Sequence, residues 1–359
     1  MSSLAARASG RDAGEVAVEA GVPREAVELA WASEIVDLHL ETFIPPRLWG
    51  YDLHVEHTPR GPFGGWFFGH LDLPRVLAGG LTGAMWSIAT NIAQPSSRRF
   101  AVLEANLEAL RASLEKSPHV EVVRDHRGYV AAREAGKHAA LLTVQGGNAY
   151  QGSPDGVRAI ADRSVVRVTV VHLSNSLFGA TSSPLRLGRD TGLSDAGRDF
   201  VRALNGERIF VDLAHVSERG FWDAVEVHDR SQPLIVTHTG IQEVHRCWRN
   251  IDQKQVRAVA DTGGVVGIIF QGSFLGPMGD RGGRRVIDHL DAVIRYGGED
   301  AAAIGSDYDG AIIPPPELQN GKHAYYRLVA WMLERGWKDT RIQRVLGRSF
   351  LASFARLRP

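Results

Sequence analysis

Short apolar runs recur along this chain, and one after another closes on a polar residue. The clearest are Asp212-Leu213-Ala214-His215, Val236-Thr237-His238 and Ile304-Gly305-Ser306-Asp307-Tyr308-Asp309-Gly310. Eight such runs read as strands, at 34–39, 84–92, 139–144, 166–172, 208–215, 234–238, 264–270 and 302–307. Most are continuously apolar rather than alternating, as in strands buried on both faces. Between them lie stretches with helical spacing, at 98–116, 194–206, 217–229, 252–262 and 284–297. Thr191, Ser217 and Asp252 are placed to cap helix starts. Eight strands with intervening helices predict an α/β fold, a (β/α)8 TIM barrel. The alternative, an open doubly wound sheet, is disfavoured because no glycine-rich phosphate loop follows the first strand. Val16, Val18, Val22, Ala26, Val27, Leu29 and Ala30 space as one or two further helices. They predict an N-terminal helical extension over 1–33 ahead of a barrel domain over 34–359, which the stretch 323–355 closes with two more helices.

Strand ends in a parallel barrel converge on one face, so the polar residues there can meet. In Asp37-Leu38-His39-Leu40-Glu41, alternation puts His39 and Glu41 on the same side, able to reach one ion. His215 and His238 lie one strand–helix unit apart, which places them on adjacent strands. Asp307, after the last strand, can ligate a metal and accept a proton from a metal-activated water. Asp309-Gly310 suits a turn carboxylate better. Two imidazoles and a carboxylate at one mouth point to a divalent-metal site. His172 reads equally as a ligand, a donor to a substrate oxygen, or a core histidine. Arg249, in the loop after the sixth strand, can grip a carboxylate in a bidentate fork or simply be solvated. Trp66, Phe67 and Phe68 beside Gly64-Gly65 read as cover for a barrel end.

Charge and composition narrow the partners. The 359 residues include 41 basic and 41 acidic side chains, and no basic run suggests nucleic acid or an anionic membrane surface. No apolar stretch reaches the ~18 residues of a membrane span. The first residues lack the apolar segment of a signal peptide. Cys247 is the single cysteine, which fits a reducing, cytoplasmic setting. No Gly-x-Ser-x-Gly elbow is present.

Taken together, these motifs resemble the membrane (renal) dipeptidases, a family of zinc metallopeptidases. The resemblance spans roughly 34–311. It is strongest in Val211-Asp212-Leu213-Ala214-His215-Val216-Ser217, Thr237-His238-Thr239, Trp248-Arg249-Asn250-Ile251-Asp252 and Ile304-Gly305-Ser306-Asp307-Tyr308-Asp309-Gly310, with support from His70-Leu71-Asp72-Leu73-Pro74-Arg75. It implies two zinc ions at a barrel mouth and hydrolysis of dipeptides, or of β-lactams in some members. His39, Glu41 and Asp307 would hold the first ion, and His215 and His238 the second. His172 would meet the developing oxyanion, Arg249 the substrate's terminal carboxylate, and Asp307 would shuttle the proton. Members often dimerise.

Two positions depart from the family pattern. The family's His-x-Asp is His39-Leu40-Glu41 here, which keeps the charge. Its Val-Glu-Gly-Gly-His is Val144-Gln145-Gly146-Gly147-Asn148, so the acid that bridges both ions is a neutral amide. Gln145 offers one oxygen as a ligand and no charge to offset repulsion between two dications. Three outcomes follow: one ion at His39/Glu41/Asp307, two ions bridged by hydroxide alone, or a ligand-binding homologue without activity. A shifted amide substrate is a further alternative to plain dipeptides.

Overall fold

A computed structural model of the chain describes residues 10–57, 66–89, 94–153, 155–160, 164–184, 188–277 and 282–359. Its parallel strands are β1 (Val36–Leu40), β2 (Gly83–Ala89), β3 (Val120–Val122), β4 (His138–Gln145), β5 (Val165–Thr169), β6 (Phe210–Asp212), β7 (Val236–Thr239), β8 (Val266–Ile268) and β9 (Ala302–Ile304). Eight of them run in the order β6-β5-β4-β2-β1-β9-β8-β7. A bridge between Asp212 and Ile235 joins the two ends, reinforced by the Leu213 N–H donating to the Ile235 carbonyl at 3.0 Å. The ring is therefore the expected (β/α)8 barrel. β3 was not anticipated: Val-Glu-Val is too short to stand out, and it pairs with the first half of β4, off the ring.

Several strands stop sooner than their apolar runs. The run 208–215 leaves the ladder after Asp212 and the run 302–307 after Ile304. His215 and Asp307 then adopt left-handed backbone, with φ of 66° and 63°. L-residues visit that region at a cost, and it is found disproportionately at functional sites. The run 84–92 is a strand to Ala89; residues 90–92, like Gly64 and Gly65, lie outside the described residues.

Helices fall where the spacing placed them: Ser96–Glu115, Asp195–Gly206, Glu218–Val227, Gln253–Ala260 and Arg285–Gly297. Ser217 and Asp252 cap as expected, but Ser194, not Thr191, caps Asp195–Gly206 by accepting from the Gly197 N–H. Short helices at Ile44–Trp49, Leu73–Ala78 and His126–Glu134 are additional. The N-terminal helices Ala13–Ala20 and Arg24–Trp31 bury Val16, Val27 and Ala30 in the main apolar core. The Trp31 indole donates to the Tyr326 hydroxyl at 3.1 Å, on the helix Gly321–Glu334.

A second apolar cluster takes Leu38, Met85, Leu141, Val166, Phe210 and Ala303 from six barrel strands, with Ile235 and Val265 just ahead of β7 and β8, and seats them on Phe350 and Phe354. Burying each such side chain stabilises by roughly 1.5–3 kcal/mol. The last helix, Ser349–Leu357, thus forms the barrel floor, leaving the opposite mouth for chemistry. Beneath that mouth, a β-carbon on Gly267 or Gly305 would collide with the Thr237 carbonyl oxygen. Glycine at both lets β8 and β9 close tightly on β7. No described helix is long and apolar enough to cross a membrane.

Candidate metal centre

The residues predicted from the strand ends come together at the mouth. β1 delivers His39, and its end is stitched to the loop after β9: the Asp307 N–H donates to the His39 carbonyl (3.0 Å) and the Glu41 N–H to the Tyr308 carbonyl (2.8 Å). His39 Nε2 then lies 3.3 Å from Glu41 Oε1 and 3.4 Å from Asp307 Oδ1. Neither that nitrogen nor either Glu41 oxygen completes a well-formed hydrogen bond among the described residues. Asp309 has a structural task, accepting from the Gly69 and His70 backbone N–H groups at 2.7 and 3.0 Å.

On the other side, His215 Nε2 and His238 Nε2 are 2.9 Å apart. Gln145, at the end of β4, brings its amide nitrogen to 3.1 Å from the first and 3.3 Å from the second. The chain can leave there because Gly146 takes φ 103°, which glycine adopts freely. The His39 and His238 rings stack with centroids 3.9 Å apart, linking the two sides. Ligand atoms of His39, His238 and Asp307 all lie within 4.8 Å of one another. His172, just past β5, sets its ring edge-on to His215 at 4.6 Å. Arg249 is buried, and its Nη2 donates to the His238 carbonyl at 2.5 Å.

Two buried residues behind the mouth were given no role from sequence. Asp212 accepts from the Thr169 and Thr237 hydroxyls, both at 2.7 Å, and from the Ala214 and Thr237 N–H groups, both at 3.0 Å. Arg167, on β5, donates to Thr169 Oγ1 at 2.7 Å and to His39 Nδ1 at 2.6 Å, and stands 3.4 Å from Asp212. The available signal was a lone arginine inside Val165-Val166-Arg167-Val168, a run otherwise apolar.

Burial sets the electrostatics. It holds the His39, His215 and His238 pKa values well below the usual imidazole range and takes His172 down to about 3, so all four are neutral at pH 7. It raises Glu41 and Asp307 well above the usual carboxylate range; for Glu41 the nearby Asp307 charge adds to this. Burial lowers Arg249 to about 10, still a cation at neutral pH. A dication in this cluster would reverse both carboxylate shifts, because it rewards the ionised form.

Glu41, Gln145, His172, His215, Arg249 and Asp307 line a cavity of about 420 Å³. Trp248 and Phe274, edge to face at 5.3 Å, line it as well. A wider cleft of about 750 Å³ shares His215, Trp248 and Arg249 and continues to Asp190 and Glu243.

A barrel with neutral imidazoles and carboxylates gathered at its C-terminal mouth is the architecture of a metal-dependent hydrolase. The sequence matches the family model of the membrane dipeptidases, peptidase family M19, over residues 24–356, and the chain belongs to that family of zinc-dependent hydrolases. An uncharacterised Klebsiella pneumoniae protein from the pqqA 5′ region is 33% identical over 164 residues, 45% of this chain. The match spans 59% of that curated relative's length. Among solved structures, dipeptidase AC, an M19 metallopeptidase, is similar with a TM-score of 0.78 at 24% identity, covering 90% of this chain and 98% of that one. A Rhodobacter sphaeroides metallopeptidase, liganded with a phosphinate mimic of the dipeptide L-Ala-D-Ala, has a TM-score of 0.77 at 22% identity, covering 90% and 99%. These structural likenesses support the barrel fold.

Proposed function

We propose that the protein hydrolyses the peptide bond of small dipeptides bearing a free carboxylate. The observation that carries this reading is one cavity lined by His215, Asp307 and Arg249, with the His238 ring edge-on to His215. The residues on the His215/His238 side fit a zinc ion: two neutral imidazole nitrogens 2.9 Å apart need a shared cation or proton between them. A bound zinc would supply the Lewis acidity that activates water and polarises the scissile carbonyl.

The chain's own groups do the rest. Arg249 keeps Nε without a partner among the described residues and serves as the cationic anchor for the substrate carboxylate. His172, a neutral imidazole, donates one N–H toward the oxyanion. Asp307 takes the proton from water and returns it to the leaving amine. The substrate is a small molecule, and L-Ala-D-Ala is a rational first probe given the Rhodobacter sphaeroides structure.

The test is amine release from a dipeptide panel by zinc-loaded protein. Turnover should fall about 10²–10⁴-fold in Asp307→Asn. No hydrolysis of any dipeptide would refute the reading. A second reading, a silent homologue that binds a peptide-like ligand, is favoured by Gln145 alone. Under it, Gln145→Glu creates activity that the parent lacks.

A further inference from the structure

Two imidazoles of the centre, His39 and His238, are backed by opposite chemistry, while His215 Nδ1 has no protein acceptor among the described residues. A metal-ligating histidine as a rule donates the N–H of its other nitrogen to a carboxylate, a carbonyl or water, which fixes the tautomer. His238 meets this condition. Its Nδ1 lies 2.8 Å from Thr237 Oγ1, whose own proton goes to Asp212, leaving the hydroxyl to accept. The Nε2 lone pair therefore faces His215. His39 does not meet it. The atom behind it is Arg167 Nη2, at 2.6 Å from Nδ1, and a guanidinium has donors and no acceptor. Nδ1 must accept, so neutral His39 carries its proton on Nε2. That proton faces Glu41 and Asp307, 3.3 and 3.4 Å away. The hydrogen bond that orients His39 thus removes the lone pair a metal would need.

Charge points the same way. Gln145 subtracts the negative charge that would separate two dications, and Arg167 adds a permanent positive charge directly behind His39. Arg167 is wholly buried, with Asp212 as its near carboxylate. A second dication on this side would meet the guanidinium's charge in a medium of low dielectric.

We propose that this centre is built for one zinc ion, held on the His215/His238 side, and that the Arg167 guanidinium stands in for the second. His39 is then no ligand, and its Nε2–H faces the Glu41 and Asp307 carboxylates. This deepens the hydrolase reading by fixing the number and place of the ion, and its test does not depend on turnover.

Full-length protein is saturated with zinc, dialysed, and its metal counted by elemental mass spectrometry. Parent protein should hold about one ion per chain. His39→Asn should keep that ion and His238→Asn should lose it. Arg167→Gln with Gln145→Glu should raise the count to about two, since glutamine can accept from His39 Nδ1–H and the acid restores the bridge. Arg167→Lys with Gln145→Glu keeps the cation and should stay at about one. That pair separates charge from folding, and circular dichroism checks that each variant is folded. Two ions in the parent, none in the parent, loss of the ion in a folded His39→Asn protein, or equal counts in the Gln and Lys pairs would each overturn the proposal. A parent with one ion that cleaves no dipeptide would sink the proposed activity and leave this assignment standing.

Discussion

Two histidines in this barrel stack ring on ring, yet their surroundings differ in sign. His39 has a guanidinium behind it, whereas His238 has a hydroxyl already committed to the Asp212 carboxylate. Both are wholly buried and both sit at strand ends. From the front they are interchangeable donors. From behind, one is set up as an N–H donor and the other as a lone-pair donor. The lesson is that ligand identity in a metal centre is decided a layer back, by what orients each imidazole.

The hub shared by both arrangements is Asp212, so removing its charge should give the largest effect. Asp212→Asn leaves Arg167 buried beside a neutral amide. Breaking a buried ion pair in this way costs roughly 3–5 kcal/mol, read as a shift in the urea midpoint at unchanged slope. It also takes away the acceptor that commits the Thr237 proton, so zinc affinity should fall about 10–100-fold. Unchanged affinity in a folded variant would mean that Thr237 orients His238 without Asp212, and the contrast between the two histidines would weaken.

Much of the front of the centre was legible because strand-end polar residues interrupt apolar runs, while Gln145 stood out only through the family resemblance. His39, Glu41, Gln145, His172, His215, His238, Arg249 and Asp307 all reach the mouth region. The barrel was legible for the same reason, since continuous apolar runs mean strands covered on both faces. Arg167 and Asp212 were not given their roles. A charged residue within a strand does not reveal which buried partner it faces, because that depends on register across β4, β5 and β6. Early strand ends were also invisible: left-handed turns at His215 and Asp307 come from tertiary closure, against local preference. β3 was missed because three residues carry no periodicity.

Composition also cannot separate working histidines from structural ones, and His289 shows how they differ. It is fully buried like those of the centre, but both its nitrogens are satisfied. Nδ1 accepts from the Ile241 N–H at 2.8 Å, and Nε2 lies 3.1 Å from the Leu275 carbonyl. Burial lowers it from 6.5 to about 4. The unfolded chain therefore binds the extra proton first as pH falls below 6.5. The stability His289 confers is fully present above that pH and is lost toward pH 4. Integrated from pH 7 to pH 4, that loss is about 3 kcal/mol. His289→Gln, which can still accept and donate, should flatten the pH dependence of unfolding by this amount and leave the zinc count unchanged. A variant with the parent's pH slope would show that His289 titrates normally in the fold.

Arg249 offers the smallest effect and a sharp division of labour. Its Nη2 holds the His238 carbonyl, while Nε has no partner among the described residues. The residue thus touches the zinc-binding side and the cavity at once. Lysine keeps the charge but loses the fork, because an ammonium is a point donor on a flexible stem. Arg249→Lys should reduce kcat/KM about 10–100-fold for a dipeptide with a free carboxylate, the worth of one or two charge-assisted hydrogen bonds. The same dipeptide with its C-terminus amidated should be cut at a rate within about threefold of the parent's, since it has no carboxylate for the fork to grip. If both substrates suffer equally and zinc is lost as well, Arg249 serves the backbone of His238 rather than the substrate. The asymmetry between the two histidines would then extend to the loop after β7, with Arg249 bracing the metal-holding imidazole from one side as Asp212 does from the other.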